Sequence, residues 1–245
     1  MINIKQLKKQ TLKGYTFVEG FPGIGLVGPM AISYIIDKLH MEYIGYIESS
    51  DFPPLVAIHG NRPMPPIRMY ADAKTKMFTI LAEFAIPVST TYALSEAVYE
   101  FIKKAGIAKI VSIAGIPNQM AVGDSIFVIS STDTTRKEAQ KVGLKAVGEG
   151  VATGVSALLL MSATFDALPD IDILVPVDPN ILDPKYAELA VGIVNKLLKL
   201  KVDISELDKE AKQVEEKIRE LLSKNKQVQD AHKKAVDAAG PSMYA

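Results

Sequence analysis

The sequence predicts an α/β protein, a three-layer α/β/α sandwich around a largely parallel or mixed sheet, and three observations predict it. Short apolar runs alternate along the chain with segments of helical periodicity. Residues 108–114 and 171–177 are near-continuous apolar runs, the mark of strands covered on both faces. A glycine-rich turn at 21–28 joins a strand pattern to a helix pattern, the usual start of a βα unit.

The elements follow in order. Tyr15 to Glu19 alternates like a short strand, and Pro29 suits the first turn of a helix running to about Leu39. Glu42 to Glu48 reads as a second strand. Five prolines between Asp51 and Pro66 predict an irregular loop. Ile67–Ala71 and Met77–Ala82 form a hairpin about Asp72–Thr75. Thr90 or Thr91 is placed to cap a helix from Tyr92 to Lys104, with Leu94, Val98, Phe101 and Ile102 on one face. Strands are expected at 108–114, 126–130 and 171–177, and a short surface helix between 134 and 145. A buried helix is expected at Gly154–Met161 and another helix at Tyr186–Leu200. Gly150 to Phe165 is the longest uncharged apolar run, too short to span a bilayer. The segment Lys196–Lys201, basic and interleaved with leucine, reads as a solvated helix face with a buried stripe.

The texture changes after Leu200. Ile204, Leu207, Ala211, Val214, Ile218 and Leu221 recur at alternating spacings of three and four, with charged flanks. This seam is consistent with a coiled coil, with a helix packed on another subunit, or with an amphipathic helix on its own domain. The chain then becomes Lys/Ala-rich, and Gly240-Pro241 stops any helix before the last residues. Three units are therefore expected: an α/β domain over 1–200, a helix over 201–231, and a flexible tail over 232–245.

Composition narrows the function. Of 245 residues 48% are apolar, enough for a sizeable core. Lys+Arg and Asp+Glu balance at 28 each, so no global charge draws the chain to nucleic acid or to an anionic membrane. The absence of cysteine excludes disulfides, thiolate metal sites and cysteine catalysis, and fits a cytoplasmic location. Met1 to Lys13 has no apolar signal-peptide core.

Gly23-Ile-Gly25-Leu-Val-Gly28 is the sharpest enzyme-like motif. It opens a helix after a strand, and Glu48 follows twenty residues beyond Gly28, as in a dinucleotide-binding unit. The alternative is a tight turn with close helix–sheet packing. Phe21-Pro22 intrudes before the first glycine, and no catalytic acid or base for hydride chemistry is evident, so these glycines are read as structural, with no cofactor. His40, His59 and His232 lie in unrelated contexts, not at ligand spacing. No Gly-x-Ser-x-Gly elbow occurs. Asp166, Asp170, Asp172 and Asp178 are expected to be scattered, so no metal cluster is predicted, and no catalytic residue is assigned. The C-terminal Met243-Tyr244-Ala245 is different: an apolar residue, an aromatic with a hydroxyl, and a carboxylate suit docking in a pocket that supplies a lysine.

Three stretches together resemble the archaeal branch of the proteasome assembly chaperone family: Gly20 to Gly28, Tyr92 to Gly115, and Gly148 to Gly154 with the helix after it. The resemblance covers roughly residues 10–200. It implies a phosphorylase-like α/β fold without retained enzyme activity, homo-oligomeric assembly (a tetramer or pentamer), and binding to the α-subunits of the proteasome core. The ending looks like the hydrophobic–tyrosine–any-residue tail of proteasome activators and assembly chaperones. That implies Tyr244 in a pocket between α-subunits, the Ala245 carboxylate on a pocket lysine, and Met243 at the rim. The seam residues Ile204, Leu207, Val214, Ile218 and Leu221 are the candidates for self-association. The alternatives are an oligomeric scaffold for another client, or a nucleotide- or cofactor-binding enzyme using Gly23–Gly28.

Overall fold

The structure, a computed structural model, describes residues 1–117 and 125–204. Its strands are β1 (Asn3–Gln6), β2 (Thr16–Glu19), β3 (Glu42–Glu48), β4 (Ala57–His59), β5 (Arg62–Met64), β6 (Ile67–Asp72), β7 (Met77–Ala82), β8 (Lys109–Pro117), β9 (Phe127–Ser130), β10 (Lys145–Ala146) and β11 (Asp170–Val177). Its α-helices are α1 (Val27–Leu39), α2 (Val88–Ala105), α3 (Asp133–Lys141), α4 (Gly154–Phe165) and α5 (Pro184–Leu198).

Nine strands form one mixed sheet in the order β1-β3-β6-β7-β2-β8-β11-β9-β10. The central four, β7-β2-β8-β11, are parallel, and antiparallel pairs extend the sheet on either side. Alternation splits the side chains into two cores. Val18, Val111, Ile113, Ile173 and Val175 face α1 and α5, with α3 at the β9 end. Phe17, Phe78, Ile80 and Ile110 face α2 and α4. The expected three-layer sandwich is therefore the observed one. Among the described residues no helix is long and apolar enough to cross a membrane.

Several expectations need correction. The proline-rich stretch 51–66 carries a small hairpin, β4–β5. Gly60 and Asn61 between these strands both have positive φ, 54° and 62°, the geometry of a tight hairpin turn. Helix α2 starts at Val88, four residues before Tyr92. Pro87 is its N-cap, and the Thr90 and Thr91 hydroxyls donate back to the Pro87 carbonyl instead of capping. Strand β1 was not expected from the polar stretch Asn-Ile-Lys-Gln; it is an edge strand paired with β3.

The fourth correction concerns α4, expected to be buried. It carries no charged residue, yet only Val155, Leu159, Leu160 and Ala163 are buried. Phe165 is 81% exposed and Met161 43%. Lys196, Lys199 and Lys201 are exposed around buried Leu197, as the solvated-face reading expects.

Candidate functional site

Strand β2 ends at Glu19, and the chain turns through Gly20-Phe-Pro-Gly-Ile-Gly-Leu26 into α1. Leu26 precedes the helix with a left-handed backbone, φ 51°. The glycines here let backbone approach backbone. A Cβ on Gly20 would lie 2.5 Å from Gly28 atoms, and one on Gly28 would lie 2.8 Å from the Ile113 carbonyl oxygen of β8. Gly25, at φ +66°, faces Val177 of β11, which a Cβ would meet at 3.0 Å. Gly115 is the partner the sequence did not suggest: its Cβ would lie 2.1 Å from the Ile24 carbonyl oxygen. Gly23 has open space, with nothing nearer than 3.9 Å, so packing does not require its glycine.

Glu48, the acid at dinucleotide spacing, stands far from this turn. Its strand β3 is separated from β2 by β6 and β7. Its carboxylate instead pairs with Lys5 at 2.6 Å. The turn is filled by its own backbone and by β8 and β11. Millimolar NAD or ATP should therefore leave the melting temperature unchanged. A ligand present at a hundredfold excess over Kd would add about 2.7 kcal/mol and an evident upward shift.

Beneath the turn lies a feature that sequence reasoning missed. Glu19, Ser112 and Asp172 stand in register on adjacent parallel strands, Glu19 opposite Ser112 and Ser112 opposite Asp172. All three point to the α2/α4 side, and Asp170, two residues before Asp172, shares that face. Glu19 and Asp170 are fully buried, and Asp172 is 3% exposed. Glu19 Oε2 accepts the Phe21 amide at 2.9 Å, which ties the row to the glycine turn. Glu19 Oε1, Ser112 Oγ, Asp172 Oδ1 and both Asp170 carboxyl oxygens have no hydrogen-bond partner of good geometry.

Burial pushes all three carboxyls up. Desolvation leads for Glu19, opposed by the nearby Ser156 and Ser112 hydroxyls. Desolvation and then Glu19 push Asp170 up to about 8. Desolvation, then Asp170 and Glu19, hold Asp172 well above the carboxylate range. A protonated carboxyl can donate as well as accept, so it suits this closed environment. Among the described residues no group of acids and histidines is arranged to hold a metal. The four side chains of the row are buried from solvent among the described residues. The signal was legible in part: Asp-Ile-Asp in a buried strand puts both acids on one face. Asp166 and Asp178 do lie elsewhere, Asp166 paired with Lys103 at 2.7 Å and Asp178 bonded to Asn180 in the loop after β11.

These raised values set a pH dependence. Folding keeps protons that the unfolded chain releases above about pH 4, so stability falls as pH rises from about 4 to 8. Thermal unfolding should give a higher Tm at pH 5.5 than at pH 8. Asp172→Asn should narrow that gap and raise Tm at pH 8; an unchanged gap would show that the row is not protonated in the fold.

The second polar cluster lies on the α1 side near the β4–β5 hairpin. Arg68 Nη1 donates to Glu83 Oε2 at 2.7 Å and to the Pro65 carbonyl at 3.0 Å, and Arg68 Nε donates to the Tyr70 hydroxyl at 2.7 Å. His59 Nε2 lies 3.0 Å from the same carboxylate. Burial alone would raise the Glu83 pKa, but hydrogen bonds from His59 and Arg68 and the Arg68 charge outweigh it and lower it. His40 caps α1 in a left-handed conformation, and His232 lies outside the described residues.

Comparison with known proteins places this geometry. A family model described as the PAC2 family matches residues 17–222. The chain belongs to the PAC2 family. An uncharacterised protein from Methanocaldococcus jannaschii is 30% identical over 212 residues, covering 85% of each chain. Among solved structures, PbaA of Pyrococcus furiosus, an archaeal homologue of proteasome-assembly chaperone, superposes with a TM-score of 0.82 at 28% identity, covering 95% of this chain and 100% of that one. PbaB of the same organism, an archaeal proteasome activator, shares the fold with a TM-score of 0.74 at 21% identity, over 90% and 98% of the two chains. The family expected from the glycine turn and the 92–115 stretch is thus the one found.

Of the predicted site residues in this PAC2-family chain, the structure brings Gly25 and Gly28 against the sheet and leaves Gly23 uncrowded. Ile204 is partly buried against the α1/α5 core. Leu207, Val214, Ile218, Leu221 and the tail Met243, Tyr244 and Ala245 lie outside the described residues.

Proposed function

We propose that this PAC2-family chain is a non-enzymatic assembly chaperone or activator of the proteasome core, acting in the cytoplasm as a homo-oligomer. In this reading Tyr244 fills a pocket between α-subunits, the Ala245 carboxylate meets a lysine there, and Met243 packs at the rim. The observation that carries it is near full-length similarity to PbaA, 28% identical over 95% of this chain, in a sequence ending in hydrophobic–Tyr–any residue. The buried acid row and the backbone-filled glycine turn favour a scaffold over an enzyme. A pull-down with purified proteasome core tests it. The full chain should capture the core, and a chain lacking residues 243–245 should not. Equal capture by both would leave the second reading, an oligomeric scaffold that engages its client through the α/β body.

A further inference from the structure

Helices α2 and α4 lie side by side on one face of the sheet and leave a groove of about 300 Å³ between them. The Tyr99 hydroxyl ties the two helices, 3.1 Å from the Ser162 carbonyl oxygen and from Asp166 Oδ2. Tyr92, Glu96, Glu100 and Lys103 line the α2 wall, one face of that helix over about three turns. Leu158, Met161 and Phe165 line the α4 wall, again on one helical face. Helix α4 has no charged residue, yet Met161 and Phe165 are exposed, as is Tyr92 across the groove. A helix apolar on all sides ordinarily lies in a core, and an exposed apolar patch marks an interaction surface.

The charge along the groove is one-sided. Glu96 and Glu100 stand one turn apart, an i, i+4 pair of like charges that weakens a helix rather than supporting it. Neither forms an ion pair among the described residues. Lys103, at the end of the groove, is bonded to Asp166 at 2.7 Å. Three carboxylates therefore face the single ammonium of Lys103.

We propose that this groove docks a basic amphipathic helix of another protein. Its stripe is apolar at i, i+3 or i+4, and i+7, and Lys or Arg recurs one turn apart along the flank that meets Glu96 and Glu100. Charge complementarity selects that occupant. The carboxylates repel nucleic acid and anionic membrane surfaces. A second copy seated by a two-fold axis would bring the same patch against itself. Glu96 and Glu100 would then meet their own counterparts, a like-charge juxtaposition that costs affinity. A basic flank pairs with both carboxylates, while the apolar stripe covers Tyr92, Met161 and Phe165 in helix-in-groove recognition. The α2 wall is about 16 Å long from Tyr92 to Lys103, at 1.5 Å per residue, which matches three turns of such a helix. The site uses residues of the α/β body alone and stands apart from docking by the tail.

Methyl spectra of the full-length protein, labelled with 13C at methionine, test this with two synthetic helical peptides as probes. One is built of leucine and lysine in the stated pattern; the other has glutamate in place of lysine. The leucine–lysine peptide should bind saturably and shift the Met161 methyl signal. Met30, buried in α1 on the opposite face of the sheet, should not move. Added salt should weaken the binding, because exposed charges are screened. Glu96 and Glu100 are exposed, so Glu96→Lys/Glu100→Lys should leave the circular dichroism unchanged. It should weaken the leucine–lysine peptide by about tenfold, since two attractions become repulsions, and should favour the leucine–glutamate peptide instead. The proposal is overturned if the leucine–lysine peptide does not bind saturably, if the wild type binds both peptides equally, or if the charge reversal leaves their affinities unchanged. It is overturned too if Met161 stays in place while other signals move. A lower mass of peptide-free Phe165→Glu than of peptide-free wild type in light scattering would also overturn it, because a second copy would then already fill the groove.

Discussion

Glu83→Ala is expected to lower the unfolding free energy by about 3–5 kcal/mol, because it strands the buried Arg68 guanidinium. Arg68 is 2% exposed and Glu83 8%, so water cannot replace the lost partner without opening the end of β6 and β7. The substitution also removes the acceptor for His59 and loosens the β4–β5 hairpin. For a chain of this size the loss corresponds to roughly 10 °C in Tm. Replacing both partners, Arg68→Met with Glu83→Leu, should cost far less, since burying an ion pair already consumes most of its attraction in desolvation. Urea denaturation of the two variants checks this. Equal losses would mean that the ion pair is not the element holding this corner.

The pair also acts on acid stability, in the opposite sense from the buried row. Glu83 is lowered in the fold, so its contribution is present above the ordinary Glu range and is lost as pH falls through the folded value. Glu19, Asp170 and Asp172 are raised, so theirs fades as pH rises toward 8. The two windows do not overlap, and together they place maximal stability in mildly acidic solution.

Elements that bury one or both faces were legible in the sequence. Glu42–Glu48 is a strand with the expected bounds, and Ile67–Asp72 and Met77–Ala82 pair as the expected hairpin. Strand β1 was not legible, because an edge strand of Asn-Ile-Lys-Gln has too few apolar positions to alternate clearly. The position of β3 was hidden for a different reason. The hairpin β6–β7 inserts between it and β2, and nothing local to Glu42–Glu48 records that order. The same non-locality hid the acid row: Glu19 and Asp172 fall in one row only through Ser112 of β8, which lies between their strands. The exposure of α4 reverses the ordinary inference from an apolar run, since composition does not record which face the fold leaves open. Of the seam and tail only Ile204 falls among the described residues, where it packs on the α1/α5 core.

The largest expected effect lies in that tail. One tripeptide presents little apolar area, so a single docking event is worth about −4 kcal/mol, near millimolar. An oligomer displays several tails, and each docked tail raises the effective concentration of the next. Avidity then adds about 10²- to 10⁴-fold, equivalent to roughly 3–5 kcal/mol, without new contacts. Losing the tyrosine removes the aromatic anchor from every tail at once, so the whole gain collapses together. Chain ends of this kind usually add little to a core, so the fold, mass and Tm should be untouched. The most direct measurement is surface capture of proteasome core by the wild type, by Tyr244→Ala, and by a chain extended by one residue beyond Ala245. The account predicts capture by the wild type alone, because one variant empties the pocket and the other displaces the carboxylate from its lysine. Capture by both variants at the wild-type level would contradict it.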